Sequence, residues 1–587
     1  MSTKYAVHLV LFLSIFCLAF PAWSQDETEL EESEEDFEEE IDLEEGLDAE
    51  ESEEEDPSSD SVELDQTAHG DIDPEQELAE VDTQAAASSG KSEKDWSERT
   101  MDILELHGYF RVRPELYHNF HIRDDNAVYD RPLVRKDQDW IDQQGNDCRS
   151  GGSRSSCKNK TLAGANMRFR LEPTINISEE VWIKAQIDFL DNIMLGSTPR
   201  YWQAYEPWET PYGPPPESTE VDRIQGWNMG PPSSEDMVVV RRVWGEVLTP
   251  FGQLRFGRMG DDWGLGMLHN SGNGLNADPG NSVDRIMFAF KINDWIIAPA
   301  IDFPNQGISA SDASGRPFDV SQLDDSYQLV GIFGYKHDKE EQKAMLKRGD
   351  WVVNTGLYFS YRWQVLSMQE AVVTTGADPD AEPEYEYRFY RRDTWNITPD
   401  FWFQLLVGTF HLELELALVY GRLGNADSNQ PDYDMAQSLE LIQFGGLIQI
   451  DYGLLADALR IGLEFGYASG DKDTEGMNAP ATYDQYNDNT DDVYSVFSFN
   501  PAYSTDLILY RHILGSISRS YYFKAWVRYD FLKNALGRNL SLEADVIYSR
   551  AAHADSTIDN NSANLGVEID IKAMFVTQDR FHAGLAY

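Results

Sequence analysis

The sequence predicts an all-β fold, a transmembrane antiparallel up-and-down β-barrel of 16–18 strands with a disordered acidic N-terminal arm. Three observations carry this expectation. First, residues 166–177 read NMRFRLEPTINI and residues 410–420 read FHLELELALVY. A strand sends successive side chains to opposite faces. Met167, Phe169, Leu171, Ile175 and Ile177 therefore share one face, and Asn166, Arg168, Arg170, Glu172, Thr174 and Asn176 share the other. Leu412, Leu414, Leu416, Leu418 and Tyr420 likewise oppose His411, Glu413 and Glu415. Ionised groups repeated along one face need water there, while a face of pure hydrocarbon needs an apolar medium. Second, segments of this kind recur along the chain with short and long connections in alternation, as in outer-membrane barrels. Third, beyond Ala22 no uninterrupted apolar stretch reaches the roughly 18 residues of a membrane helix. The mean hydropathy of -0.49 does not argue against a membrane. Every second residue of a barrel strand is free to be polar.

The amino terminus reads as an export signal over residues 1–24. Lys4 supplies the positive start, residues 5–20 are mostly apolar, and Ala22-Trp23-Ser24 offers small residues before Gln25. Residues 25–100 form a second segment, with about thirty acidic residues and only a few basic ones. Such a composition has too little apolar surface to offset its ordering entropy. It reads as a disordered periplasmic arm, a solvated spacer or the docking element for a periplasmic partner. The whole chain has 587 residues, a net charge of -56 and three cysteines. That charge excludes an ordinary nucleic-acid binder, because a polyanion repels phosphate backbones. With Cys17 removed by export, Cys148 and Cys157 remain, in the Gly/Ser-rich segment DCRSGGSRSSCKNK. In an oxidising compartment they are expected to pair as a disulfide.

The barrel is expected over residues 105–587. Seventeen candidate strands lie between residues 106 and 587. Short connections fall at 178–179, 250–252, 293–294 and 408–409, and long ones at 121–164, 192–235, 260–282, 304–325, 364–385, 423–439 and 470–518. Aromatic residues collect near strand ends, as at Tyr358, Tyr361 and Trp363, where interface girdles sit. Bacterial barrels have an even number of strands. Seventeen candidates thus leave either a further strand to be sought within 492–515 or a polypeptide that continues past Tyr587. The ending RFHAGLAY has Phe581, Ala583, Leu585 and Tyr587 on one face and resembles an aromatic-terminated closing strand.

Residues 240–274, VRRVWGEVLTPFGQLRFGRMGDDWGLGMLHNSGNG, are the most distinctive stretch. The matching features are Arg242, Trp244, the turn Thr249-Pro250-Phe251-Gly252, Phe256-Gly257-Arg258 and Trp263-Gly264-Leu265-Gly266. Val283-Asp284-Arg285 and GYFRVRPEL at 108–116 extend the pattern. This stretch resembles the strand–turn–strand of alginate-export-like porins and, more closely, a group of large delta-proteobacterial outer-membrane barrels. The resemblance implies an outer-membrane channel and supplies no solute. Read from its residues, the Gly-rich run 264–274 is a candidate constriction folded into the pore. Without a Lys-Ser/Thr element and a following helix it makes a poor phosphate cradle.

If the faces are assigned by alternation, Arg111, Arg113, Arg168, Arg170, Glu172 and Lys184 line the pore on the early strands, with Arg242 and Arg255. Glu413, Glu415, Asp451, Glu464, Glu543 and Asp545 line it on the later ones, followed by Glu568 and Asp570, with Lys524 and Arg528 interspersed. One arc is cationic and another acidic, and a transverse field across a pore orients polar solutes. The plainer reading is that these charges pair with neighbours and solvate a wide lumen. His411 with Glu413 and Glu415 shares one face but lacks a second ligand cluster. No Gly-x-Ser-x-Gly element appears, so neither metal, cofactor nor enzyme is expected. Asp471–Gly476 begins like a calcium loop, but Thr482 stands where the distal Glu belongs.

The expected function is a porin-like channel in the outer membrane of a Gram-negative bacterium. It passes hydrophilic solutes passively, with anionic saccharides as a candidate class. The alternative is a non-conducting barrel that serves as a surface or envelope-anchoring protein.

Overall fold

The computed structural model describes residues 103–118, 161–195, 238–307, 309–311, 314–373, 384–424, 438–472, 493–533, 535, 537–554, 562–577 and 580–587. The signal segment, the acidic arm and the pair Cys148 and Cys157 lie outside these residues, as does most of 471–482.

Alternation of apolar and polar residues produces a long antiparallel meander. Its first half is β1 (Leu104–His118), β2 (Thr161–Ser178), β3 (Val181–Met194), β4 (Val238–Thr249), β5 (Gly252–Gly260), β6 (Ser282–Ile292) and β7 (Trp295–Asn305). A small hairpin of β8 (Ser309–Ser311) and β9 (Pro317–Asp319) stands apart from the main sheet. The meander resumes with β10 (Ser326–Tyr335), β11 (Trp351–Val373), β12 (Glu384–Val407), β13 (Phe410–Leu423), β14 (Leu439–Leu454) and β15 (Leu459–Ala468). It finishes with β17 (Ser520–Leu532), β18 (Arg538–Ala551), β19 (Asn564–Thr577) and β20 (His582–Ala586). The sheet has 18 strands once β16 (Val493–Tyr494) is included. That element is two residues long and pairs in parallel with β14. The further strand sought within 492–515 is therefore not a membrane-crossing one. Its sequence carries Asn500-Pro501 and Asp506, which break a ladder, and it folds inward instead.

Connections are short at one end of the sheet and long at the other. The exception at the short end is α1 (Lys339–Arg348), which joins β10 to β11. Glu340 and Glu341 lie in its first turn and Lys347 and Arg348 in its last, matching the helix dipole. Gly349, at φ 82°, closes it. The sheet curls round on itself. Tyr117 of β1 packs edge-on against His512, between β15 and β17, at 5.0 Å. Among the described residues β1 pairs only with β2, and β20 only with β19.

The two faces are inverted relative to a soluble protein. Leu416, Leu418, Leu463, Phe110 and Val546 are all more than a third exposed. Glu413, Glu415, Arg168, Arg170, Asp188 and Asp545 are buried. Leu412 and Leu414, half-buried, share the outer face with Leu416. Hydrocarbon therefore covers the outside and charge fills the inside. A strand barrel of this polarity is the architecture of outer membranes, since neighbouring strands pair the spanning backbone groups between them.

Two irregularities re-aim side chains toward the lumen. In β3 the register slips opposite Arg168, and Leu190 and Asn192 take left-handed φ values of 53° and 56°. In β4 an extra residue, Arg241, sits between the pairs Gln186↔Arg242 and Ile187↔Val240. Such bulges add a residue without ending the ladder. Asp191 and Arg241, which strict alternation turns outward, join the inner face.

The outer belt makes a testable demand. Replacing Leu416 or Leu418 with Arg is expected to destabilise the inserted barrel by about 2–4 kcal/mol near the bilayer midplane. Reversible folding into lipid vesicles measures this, and Glu413→Gln on the inner face serves as the contrast.

Candidate functional site

The lumen is crossed by two segments that fold in from the long-loop end. The first is residues 261–281, between β5 and β6. The second is residues 495–519, between β15 and β17. Both follow from local sequence. Glycines and Asx residues at 264–274 favour turns over strand, and large aromatics supply anchors. Trp263 packs with Tyr358 and Trp402. A Cβ at Gly356 of β11 would stand 2.5 Å from the Trp263 ring, so the wall carries a notch for it. Phe497 uses a similar notch at Gly445 of β14. Met267, Phe497, Phe499 and Tyr510 form one apolar cluster with Leu447 and Tyr522 of the wall. The segments also bond to one another. Asn500 donates its backbone N–H to the Met267 carbonyl at 2.7 Å, and Arg511 donates to the Asn276 carbonyl at 3.2 Å.

On the cationic side the first segment is gripped by arginines. Arg111 of β1 and Arg168 of β2 are direct cross-strand partners. Like charges so placed repel. Asp278 of the segment lies between them, at 3.0 Å from Arg111 and 3.2 Å from Arg168, and accepts from Arg113 at 2.6 Å. Burial pushes the Asp278 carboxyl up, but the Arg113 hydrogen bond and the charges of Arg113 and Arg111 outweigh it and hold the group at about 2. Arg111 also donates to the Leu275 carbonyl and Arg168 to the Ala277 carbonyl, each at 2.8 Å. Arg242 donates to the Ser271 and Asn281 carbonyls. Arg170 makes a bidentate pair with Asp188 at 2.7 and 2.8 Å. The two bulges bring Arg241 onto Asp188 and Asp191, and Asp191 onto Arg168. Lys184 and Arg255 flank Glu246 at 3.4 and 3.6 Å, and Glu172 accepts from Gln186 at 2.7 Å.

On the acidic side carboxylates hold backbone N–H groups. Glu415 of β13 accepts from Leu265 at 2.5 Å and from Met267 and Leu268 at 3.4 Å. Gly264, at φ 60°, makes this approach possible, since a Cβ there would stand 2.6 Å from the Glu415 carboxylate. Glu568 of β19 accepts from Leu507, Ile508 and Leu509 at 2.8–3.0 Å. Glu464 takes hydroxyls from Tyr503, Thr505 and Tyr522. Asp506 accepts from the N–H groups of Tyr510 and Arg511. Glu543 and Asp545 share Lys572 at 3.3 and 2.7 Å.

His411 joins Asp451 and Glu413 at 2.8 and 2.9 Å through its two ring nitrogens. Glu415, expected beside them, is turned to the inward segment instead. Two groups elsewhere have metal-like spacing, Asp294 with His337 and Glu341, and Asp319 with Asp324 and Asp325. Nothing beyond spacing argues for an ion at either.

The residues read from alternation thus sit on the inner wall, and most are engaged rather than free. Sequence reasoning missed Asp278, because nothing local marks a loop carboxylate as the partner of three strand arginines. It missed Arg241 and Asp191 because bulges leave no hydrophobic signature.

No family model matches the chain, and no curated protein matches it. Among solved structures, OmpT, an outer membrane protein of Vibrio cholerae, aligns with 82% of the chain and 98% of its own at 9% identity and a TM-score of 0.32. The outer membrane channel DcaP of Acinetobacter baumannii aligns over 82% and 95% at 11% identity and 0.31. Pseudomonas aeruginosa OccK2 (OpdF), solved in complex with glucuronate, aligns over 73% and 85% at 10% identity and 0.34. Likenesses of this strength show neither a family nor a solute for this chain.

The depressed Asp278 carboxyl fixes the sign of an acid titration. Its contribution is fully present above the ordinary value of 3.8 and is lost as pH falls through about 2. Asp278→Asn is expected to cost about 1–2 kcal/mol after discounting for partial exposure. Thermal unfolding in detergent should show a gap between wild type and variant that is constant from pH 4 to 8 and closes toward pH 2.

Proposed function

We propose that the chain is a porin-like outer-membrane channel that passes hydrophilic solutes passively, anionic saccharides being the solute class. The observation that carries this reading is the uneven charge of the inner wall, with arginines in excess over β1–β6 beside Asp188, Asp191 and Glu246, and carboxyls in excess over β12–β19 beside Lys524 and Lys572. Arg111, Arg113, Arg168, Arg170, Arg242 and Arg285 lie on β1–β6. Asp400, Glu415, Asp451, Glu464, Asp545 and Asp570 lie on β12–β19. A wall divided in this way sets a field across the lumen, which orients a polar solute and disfavours an apolar one. The two inward segments then define the cross-section available. Arginines beside Asp278 supply the forked donors that suit a sugar carboxylate.

One observation favours the second reading, a plugged barrel that serves as a surface or envelope anchor. Arg168, Asp188, Glu415 and Asp545 are each 0% exposed, so the wall at those points touches protein rather than water. In that case the charges act as fasteners for the plug.

Reconstitution into planar bilayers separates the two. A channel gives discrete conductance steps, and Asp278→Ala, which frees the arginines, raises anion over cation permeability. Deleting residues 264–276 raises the step size severalfold. A folded barrel that remains silent with and without that deletion sinks the transport reading and leaves the anchor.

A further inference from the structure

Both inward segments are fastened in the same unusual way. Glu415 accepts three backbone N–H groups from residues 265–268, and Glu568 accepts three from residues 507–509. Behind each fastener stands a second carboxyl. Asp400 of β12 lies against Glu415, and Asp570 of β19 lies against Glu568. Asp400 is 0% exposed and Asp570 1%. Neither oxygen of either aspartate meets a donor in hydrogen-bonding geometry, the Trp263 indole N–H being the near neighbour of Asp400. A buried carboxylate with no well-placed donor, pressed on a second carboxylate, is too costly to persist. Two carboxyls in that position relieve the cost by sharing a proton, as one carries O–H and donates to the other.

We propose that each segment is latched by a carboxyl pair holding one proton, Asp400 with Glu415 and Asp570 with Glu568, so that the lumen is closed in acid and opens as pH rises. In the closed state the aspartic acid O–H donates to the glutamate, and the glutamate keeps its three backbone bonds. Loss of that proton to lumen water leaves two apposed buried anions. The glutamate then relaxes away and the segment is released.

The surroundings support a proton rather than a metal. Asp400 faces Tyr358 of β11, its register partner, and the Trp263 indole approaches from the loop. The Tyr358 hydroxyl is occupied by Arg285, which itself pairs with Asp261 and Asp302, and Asp261 also pairs with His269. No third carboxylate completes a ligand set at Asp400 among the described residues. Asp570 faces Asp545 of β18, and the positive charges there, Lys572 and Lys524, are on Asp545. The segment's own Asp506 faces the same cluster. Burial first, and then the Glu568 carboxylate, push it up to about 7. A group raised in the closed state stabilises that state below the ordinary value of 3.8, and the contribution is lost as pH rises through about 7. Asp506 therefore favours the closed state over the same pH range in which the carboxyl pairs hold their protons. The Asp278 clasp, which fails only in strong acid, holds the first segment's other end and makes release a hinged motion.

Hydrogen exchange in detergent tests the latch without requiring conduction. The amides of Leu265, Met267, Leu268, Leu507, Ile508 and Leu509 are expected to be protected at pH 5. At pH 8 they should lose about tenfold or more of that protection after correction for intrinsic rate, since one pKa unit is a tenfold change in equilibrium. Asp400→Asn with Asp570→Asn supplies a permanent N–H donor and should hold protection constant across the range. Equal wild-type protection at pH 5 and 8 overturns the latch, even if the variants fail to fold. Bilayer recording then reads the consequence: wild-type conductance climbs with pH and the double variant's does not. A wild type that never conducts counts against the channel reading alone, because exchange has already decided the latch.

Discussion

Charge has to be kept out of lipid, and the rest of this architecture follows from that. An ionised side chain at the bilayer midplane costs several kcal/mol, and an unpaired backbone N–H or C=O there costs nearly as much. The chain meets both demands with one device. Consecutive strands pair backbone to backbone, and alternation, with two bulges, sends most of the charged strand residues to the inner face, while Arg258 and Asp284, exposed on the other face, pair with each other. Leu416 faces outward while its neighbour Glu415 is wholly buried. The acidity of the chain is thereby compatible with a hydrocarbon exterior.

Concentrating charge on the inside creates a second problem, since like charges then crowd a confined space. Arg111 faces Arg168, and Asp545 faces Asp570. The structure offsets this by bringing loops in as counter-charges and donors. Asp278 separates the arginines, and runs of backbone N–H groups neutralise Glu415 and Glu568. The fit between wall and segments is reciprocal. Wall charges need the loops as partners, and the loops, rich in glycine and Asx, need the wall to be ordered. Charge-assisted hydrogen bonds of this kind are stronger than neutral ones, and in a water-poor space they are worth more still.

How much of this was legible depended on the range of the information. Period-2 alternation is local, so NMRFRLEPTINI and FHLELELALVY reveal their strands and faces directly. The inward fold of 264–274 was partly legible, because its glycines exclude a strand and its Trp263 needs a burial site. The segment 492–515 was misread as a possible strand, because its aromatic residues mimic a strand's while Asn500-Pro501 and Asp506 turn it inward. Arg241 and Asp191 were hidden by bulges, where one inserted residue reverses the face without changing composition.

The sequence by itself determined the strand succession, the apolar exterior and the charged interior. Each of these follows from residues adjacent along the chain. Only the tertiary structure decided which charges are free and which are fastened. Asp278 lies 167 residues from Arg111, and Leu265 lies 150 from Glu415. No periodicity connects positions that far apart. Their meeting is set by the curl of the sheet and the path of two loops, which bring distant charges within hydrogen-bonding distance.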